Sequence, residues 1–160
     1  MLAAIAWDTD TTAGSTALCT MPGTSITLTP EQLANAATIA DVGRSRGLSD
    51  RAVVIALATA QQESRLRNLN YGDRDSLGLF QQRPSQGWGT PAQVQDPVYA
   101  AGIFYDRLLT VPGWDTGRLT DVAQTVQRSG YPEAYQQWEP LAAELTAGFG
   151  TSDPPVLDCG

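Results

Sequence analysis

The sequence predicts a mainly α-helical protein organised around one core. Three observations carry that reading. Apolar residues recur at helical spacing in successive stretches, each opened by a residue suited to capping a helix. One long segment, residues 67 to 95, has no such periodicity. At 160 residues and 42% hydrophobic composition the chain is long enough to enclose one core and gives no reason to expect two.

Taken in order, residues 8 to 29 are rich in Thr, Ser, Gly and Asp, with a turn-like Pro22-Gly23, and read as an extended tail, so residues 1–28 are set apart from the domain. Thr29-Pro30-Glu31-Gln32 opens the regular part. Thr29 is placed to cap, Pro30 suits the first helical position and Gln32 closes a capping box, predicting a helix to about Arg46 that stops at Gly47. Ser49 is the expected cap of a second helix. Its residues Ala52 to Ala60 are apolar on nearly every side, which marks it as the buried central helix, ending in Gln61-Gln62-Glu63-Ser64.

The segment 67 to 95 holds Asn, Gly, Asp, Pro and Gln, and only Ser76 to Gln82 suggests a short strand or hairpin. Irregular segments of this length in small domains are usually functional or disordered, and Leu77, Leu79, Phe80 and Trp88 favour the first. Helix resumes at Asp96-Pro97, with Val98, Ala101, Gly102, Tyr105, Leu108 and Leu109 on one face. After Pro112-Gly113, Thr120 is expected to cap a short helix to about Arg128. Pro132 is expected to begin a last helix with Tyr135, Trp138, Ala142 and Leu145 on its apolar face. Pro154-Pro155 lies in a second tail, 150–160, leaving 29–149 as the domain.

Composition excludes whole classes of chemistry. The ten basic residues are all arginine and there is no histidine, so neither a Ser/His/Asp nor a Cys/His nucleophile system can be assembled. A histidine-ligated zinc site and a P-loop lysine are likewise missing, and no metal or other cofactor is expected. Carboxylates are left as the general acids and bases. A net charge of −7 argues against a nucleic-acid partner. No apolar run reaches membrane-spanning length, and Leu2 to Trp7, followed by Asp8 and Asp10, is too short for a secretory leader, so a mature chain is expected. Cys19 and Cys159 are either free thiols or a bridge joining the two ends; the bridge is the favoured reading. Closing so long a loop contributes about 4 to 5 kcal/mol in chain-entropy models, before strain, and implies an oxidising compartment.

Glu63 is the residue that stands apart. It ends a helix that is otherwise almost wholly apolar, on the face that carries Ala56 and Ala60. Burial and the negative end of the helix dipole both disfavour its charged form and raise its pKa. A carboxylic acid kept protonated near neutral pH is what glycosidic bond cleavage requires, because the leaving sugar oxygen must receive a proton. Helix position alone leaves open the plainer reading, a glutamate paired with Arg65, Arg67 or Arg74.

The run Gln61-Gln62-Glu63-Ser64-Arg65-Leu66, followed by Ser76-Leu77-Gly78-Leu79-Phe80-Gln81-Gln82, resembles the lysozyme-like lytic transglycosylase superfamily, in which Glu-Ser ends a buried helix and Gly-Leu-Met/Phe-Gln follows. Tyr71-Gly72-Asp73-Arg74 resembles the Gly-Asp-Arg of goose-type lysozymes. Arg83-Pro84-Ser85-Gln86-Gly87-Trp88-Gly89 and Val126-Gln127-Arg128-Ser129-Gly130-Tyr131-Pro132 look like actinobacterial wall-lytic domains. The resemblance covers roughly residues 29 to 146 and rests on the order and spacing of these motifs.

It implies a lysozyme-like fold in which the short irregular or β segment forms one wall of a sugar-binding cleft. It further implies that Glu63 is the general acid and that Asp73 positions water or stabilises positive charge, with Asp75 as the alternative. Gly78, Leu79, Phe80 and Gln81 would form the cleft wall, and Gln127 and Tyr131 would also bind substrate; Gln81 is favoured over Gln82 as a partner for N-acetyl groups. Two positions depart from the pattern. Where lytic transglycosylases carry Tyr-Asn on a later helix this chain reads Val126-Gln127, so Tyr131 or Tyr135 is left to touch the acid. The second goose-type aspartate falls at about Arg83, which weighs toward transglycosylation. Among the aromatic residues, Trp88 is the one expected to stack on sugar.

The expected function is cleavage of the β-1,4 bond between N-acetylmuramic acid and N-acetylglucosamine by a secreted, extracellular enzyme, through lytic transglycosylase or muramidase chemistry. Peptidoglycan glycan strands are the expected partner, and further domains in a longer protein are compatible with both tails. The alternative is a non-catalytic peptidoglycan-binding module.

Overall fold

Helix α1 (Pro30–Ser45) starts where the capping signal predicts, in a computed structural model that describes residues 18–21, 24–150 and 158–159. The Thr29 hydroxyl accepts the Gln32 N–H at 3.2 Å, and Gln32 Oε1 accepts the Thr29 N–H at 2.9 Å. The helix stops at Ser45, and Gly47 takes the left-handed conformation at φ 70° that turns the chain back. Helix α2 (Asp50–Ser64) follows at once, with Ser49 at its N-cap position although the Ser49 side chain makes no capping bond.

The apolar run predicted to be the centre of the protein is the centre. Every residue from Ala52 to Gln61 is buried. Four helices pack around it: α1, α4 (Pro97–Leu108), α5 (Leu119–Gln127) and α6 (Glu139–Gly148), while the single-turn α3 (Pro91–Val94) packs on α4. Each fully buried Val, Leu or Ile in that run contributes about 1.5–3 kcal/mol relative to exposure, so α2 is the element the others are built on.

Several boundaries differ from the sequence reading, each for a physical reason. Thr120 does not cap α5. The helix begins two residues earlier behind Arg118, and the buried Thr120 hydroxyl instead donates to the Pro132 carbonyl at 2.5 Å, holding the turn that follows α5. The last helix does not begin at Pro132 either. Residues 131–138 form turns and a short 3-10 segment (Gln136–Trp138), and α6 starts at Glu139. Pro140 explains this, because it fits the first turn of a helix, whereas inside a helix begun at Pro132 it would remove a backbone bond and clash with the preceding turn. The expected strand or hairpin at Ser76–Gln82 reduces to one bridge between Leu77 and Gln82. Helix α3, inside the segment read as irregular, was missed despite its capping box of Thr90 and Gln93.

The ends of the described chain are tied together. Strand β1 (Cys19–Thr20) pairs antiparallel with both β2 (Thr27–Leu28) and β3 (Asp158–Cys159), in the order β2-β1-β3, and Cys19 is disulfide-bonded to Cys159 opposite it. Cys19, Met21, Ile26 and Leu28 are buried in the same core as the helices, so these residues pack with the domain rather than trailing from it. The readings made of residues 1–17, including the leader at Leu2 to Trp7, of the turn at Pro22-Gly23, and of 151–157 and 160 lie outside the described residues. Among the described residues no helix is long and apolar enough to cross a membrane.

Candidate active site

The C-terminal end of α2 is fixed from two sides. Arg65 at φ 54° ends the helix in the left-handed conformation; its N–H bonds the Gln61 carbonyl at 2.9 Å, and the Leu66 N–H bonds the Ala60 carbonyl at 3.3 Å. From α1, the Gln32 amide donates to the Arg65 carbonyl at 2.9 Å and the Asn35 amide to the Leu66 carbonyl at 2.8 Å. Glu63, one residue before the last of α2, therefore projects from a backbone with little freedom to move.

Ser64, its neighbour, holds the facing wall. The buried Ser64 hydroxyl donates to the Leu79 carbonyl at 2.7 Å, and from α5 the Gln127 amide donates to the Phe80 carbonyl at 2.8 Å. Leu79 and Phe80 are fully buried, and the Phe80 ring stacks on Phe104 with centroids 4.8 Å apart. Gly78 has φ +80°, and a Cβ there would lie 2.1 Å from the Val94 carbonyl oxygen, so both conformation and space require glycine. These side chains do not line a cleft, in contrast to the expectation that Gly78, Leu79 and Phe80 touch substrate. They make the segment's buried inner side, because the two carbonyl anchors draw it against α2 and α5.

Between this wall and the turn after α5 lies a cleft of about 1080 Å³. It brings together Glu63, Asp73, Gln81, Trp88, Gln127, Tyr131 and Tyr135, all singled out from sequence. The Gln81 amide nitrogen is shared between the Tyr71 and Gly78 carbonyls, both at 3.2 Å, so its first role is to hold the wall. Gln82 is buried and bonds the Ala100 carbonyl at 3.0 Å, away from the cleft. Trp88 lies in the cleft lining but is 7% exposed, and the Arg107 guanidinium covers its ring at 3.6 Å. Tyr131, at 75% exposed, is the aromatic side chain of the lining that is open to a ligand.

Glu63 carries the electrostatics. Burial raises its pKa above the ordinary glutamate value, and hydrogen bonds from Tyr135 and Gln127 lower it by less, so it is raised overall. The Tyr135 hydroxyl donates to Glu63 Oε1 at 2.6 Å. Burial first, then the Glu63 charge and that hydrogen bond, push the Tyr135 phenol far above its usual pKa, so it remains a donor. None of Arg65, Arg67 and Arg74 pairs with Glu63.

Among the described residues, Glu63 and Asp73 are the carboxylates lining the cleft; Asp73 is exposed at its edge. Asp75 lies outside the lining. It is bonded to Arg83 Nε at 2.6 Å and to the Ser85 N–H at 2.8 Å, and the Arg83 guanidinium holds its carboxyl well below the usual carboxylate range. No group of three His, Cys, Asp or Glu side chains placed for a metal ion occurs among the described residues. The Tyr135 contact was one of two alternatives in the sequence, and the fold selects it over Tyr131. No protein-family model matches the chain, and no curated protein matches it either.

Proposed function

We propose that the protein is a lysozyme-like glycosidase of the peptidoglycan glycan strand, acting on the β-1,4 bond after N-acetylmuramic acid outside the cell. The observation that carries this reading is a half-buried carboxyl group, Glu63, raised in pKa, bonded to a phenol at 2.6 Å and opening onto a cleft large enough for several sugar rings. A protonated Glu63 donates to the glycosidic oxygen as the bond breaks. The Tyr135 hydroxyl then stabilises the carboxylate left behind, ready to take a proton back. The disulfide between Cys19 and Cys159 supports placing the protein in an oxidising, extracellular setting.

The second half of the reaction has two routes. Attack by the muramoyl 6-hydroxyl, with Glu63 as base, gives an anhydro sugar without consuming water. Attack by a water directed from Asp73 gives a reducing end. The pairing of one half-buried with one exposed carboxylate favours the first route, because Asp73 is open to solvent rather than fixed beside Glu63.

Mass spectrometry of products released from purified peptidoglycan by wild type and Glu63→Gln tests both levels. Anhydromuramoyl ends that vanish in the variant identify a lytic transglycosylase, and reducing ends that vanish identify a muramidase. Wall binding by both proteins with products from neither overturns the enzymatic reading in favour of a binding module.

A further inference from the structure

The chain carries a net charge of −7, yet its cleft is lined by Arg74, Arg83, Arg107 and Arg128. Arg83 is neutralised by Asp75 at 2.6 Å. Arg74, Arg107 and Arg128 form no ion pair among the described residues, and neither do Arg65 and Arg67 outside the cleft, whereas arginines 44, 46, 51 and 118 each have a carboxylate partner. The three come from separate elements: Arg74 from the segment after α2, Arg107 from the last turn of α4, and Arg128 from the left-handed cap of α5.

Arg107 is half-buried, held by its bond to the Gly87 carbonyl at 3.0 Å and by the Trp88 ring beneath it. Burial lowers its affinity for its proton and the Arg128 charge lowers it further, so two like charges of the cleft lining act against each other. Such a juxtaposition is unfavourable until an anion enters. Arginine's planar fork matches a carboxylate in geometry as well as charge.

We propose that Arg107 and Arg128, with Arg74, form a carboxylate-binding wall of the cleft that recognises the anionic branch carried by the muramoyl sugar. The inference rests on the glycosidase reading for the identity of the strand. The carboxylates come from the peptide stem or, where the stem has been removed, from the lactyl group itself. Neutral chitin-like strands lack both and should be poor substrates for the same reason.

Two measurements decide it. In the first, wild type is titrated calorimetrically at low salt with the free stem tetrapeptide L-alanyl-γ-D-glutamyl-meso-diaminopimelyl-D-alanine and with its carboxamide form. The acid form should bind, the amide form should not, and Arg128→Gln should bind the acid form about tenfold more weakly. Arg128 is exposed and forms no side-chain hydrogen bond among the described residues, so the variant leaves the fold intact; Arg65→Gln, outside the cleft, should bind as wild type does. In the second, KM and kcat are compared on strands with intact stems and on strands stripped by an amidase.

A rise in KM for Arg128→Gln on stem-bearing strands alone identifies the stem carboxylates, a rise on stripped strands alone identifies the lactyl carboxylate, and a rise on both means that the wall takes either. Equal binding of acid and amide peptides, or none, together with an unchanged KM on both strands, overturns the proposal while leaving the glycosidase standing. Acid-dependent binding with no strand cut by wild type leaves the anion site standing and overturns the glycosidase.

Discussion

Replacing Ser64 with alanine should loosen the cleft wall without touching Glu63. The Ser64 hydroxyl is the donor to the Leu79 carbonyl at 2.7 Å, in a place where Ser64 is 3% exposed and Leu79 is fully buried. Among the described residues no other donor reaches that carbonyl. Leaving a buried acceptor unsatisfied costs about 1–3 kcal/mol. For a chain of this size each kcal/mol corresponds to about 2–4 °C, so a drop of about 4–8 °C in melting temperature is expected for the middle of that range. Ser45→Ala is the matched control, since the exposed Ser45 hydroxyl only bonds the Val42 carbonyl in its own helix, and it should change stability by less than about 0.5 kcal/mol. Thermal melts followed by circular dichroism measure the first effect. Product release from peptidoglycan measures the second, which should fall further than stability alone requires because Leu79 and Phe80 set the position of Gln81 and Tyr71. Equal melting temperatures for Ser64→Ala and Ser45→Ala would refute the claim that this bond anchors the wall.

Glu63→Gln should stabilise the fold in a pH-dependent way. Because burial raises the Glu63 pKa in the folded protein, ionising it costs stability progressively as pH rises from the ordinary glutamate value through the folded one, and nothing below both. Urea midpoints of variant and wild type should therefore coincide in acid and separate, with the variant higher, toward neutral pH; parallel curves would contradict the burial argument. Tyr135→Phe removes a hydrogen bond that lowers the Glu63 pKa, so the alkaline limb of the pH–rate profile should move to higher pH while the maximal rate falls. A limb that stays in place would mean that the phenol does not act on this carboxyl.

What the sequence revealed was local. Thr29, Pro30 and Gln32 are neighbours in the chain, and their capping box depends on nothing beyond four residues. The buried face of α2 is visible because its apolar residues are contiguous. Glu63 could be singled out as a charge in the wrong company before any contact was known. The contacts that make it a site were less accessible, since Tyr135 is 72 positions away and either of two tyrosines satisfied the sequence argument. A separation of 47 positions likewise hid the role of Gln127, which reads as a polar residue facing substrate but holds the Phe80 carbonyl. Gly78, Leu79 and Phe80 illustrate a related difficulty: a motif near a cleft looks alike whether its side chains meet the ligand or its backbone is what must be placed. The unpaired arginines were invisible for a further reason, because which arginine lacks a carboxylate is decided only when distant elements pack.

The opposing influences on Glu63 are best understood together. A carboxylic acid that is only buried holds its proton tightly, and having given it up is left as a bare anion in a poor solvent for charge. One that only accepts hydrogen bonds is ionised at neutral pH and has no proton to give. Here burial is the larger influence and the bonds from Tyr135 and Gln127 the smaller, so the proton is held more tightly than by an ordinary glutamate while the anion still has donors waiting. The Tyr135 phenol suits this part because its own pKa is pushed so high that it cannot compete as an acid. On the proposed chemistry the acid must become a base within one catalytic cycle, and both protonation states of Glu63 have to be accessible. A site assembled merely to bury a stray glutamate would need a partner for the charge; one that stabilises the anion partly, and the neutral acid more, is suited to passing a proton out and back.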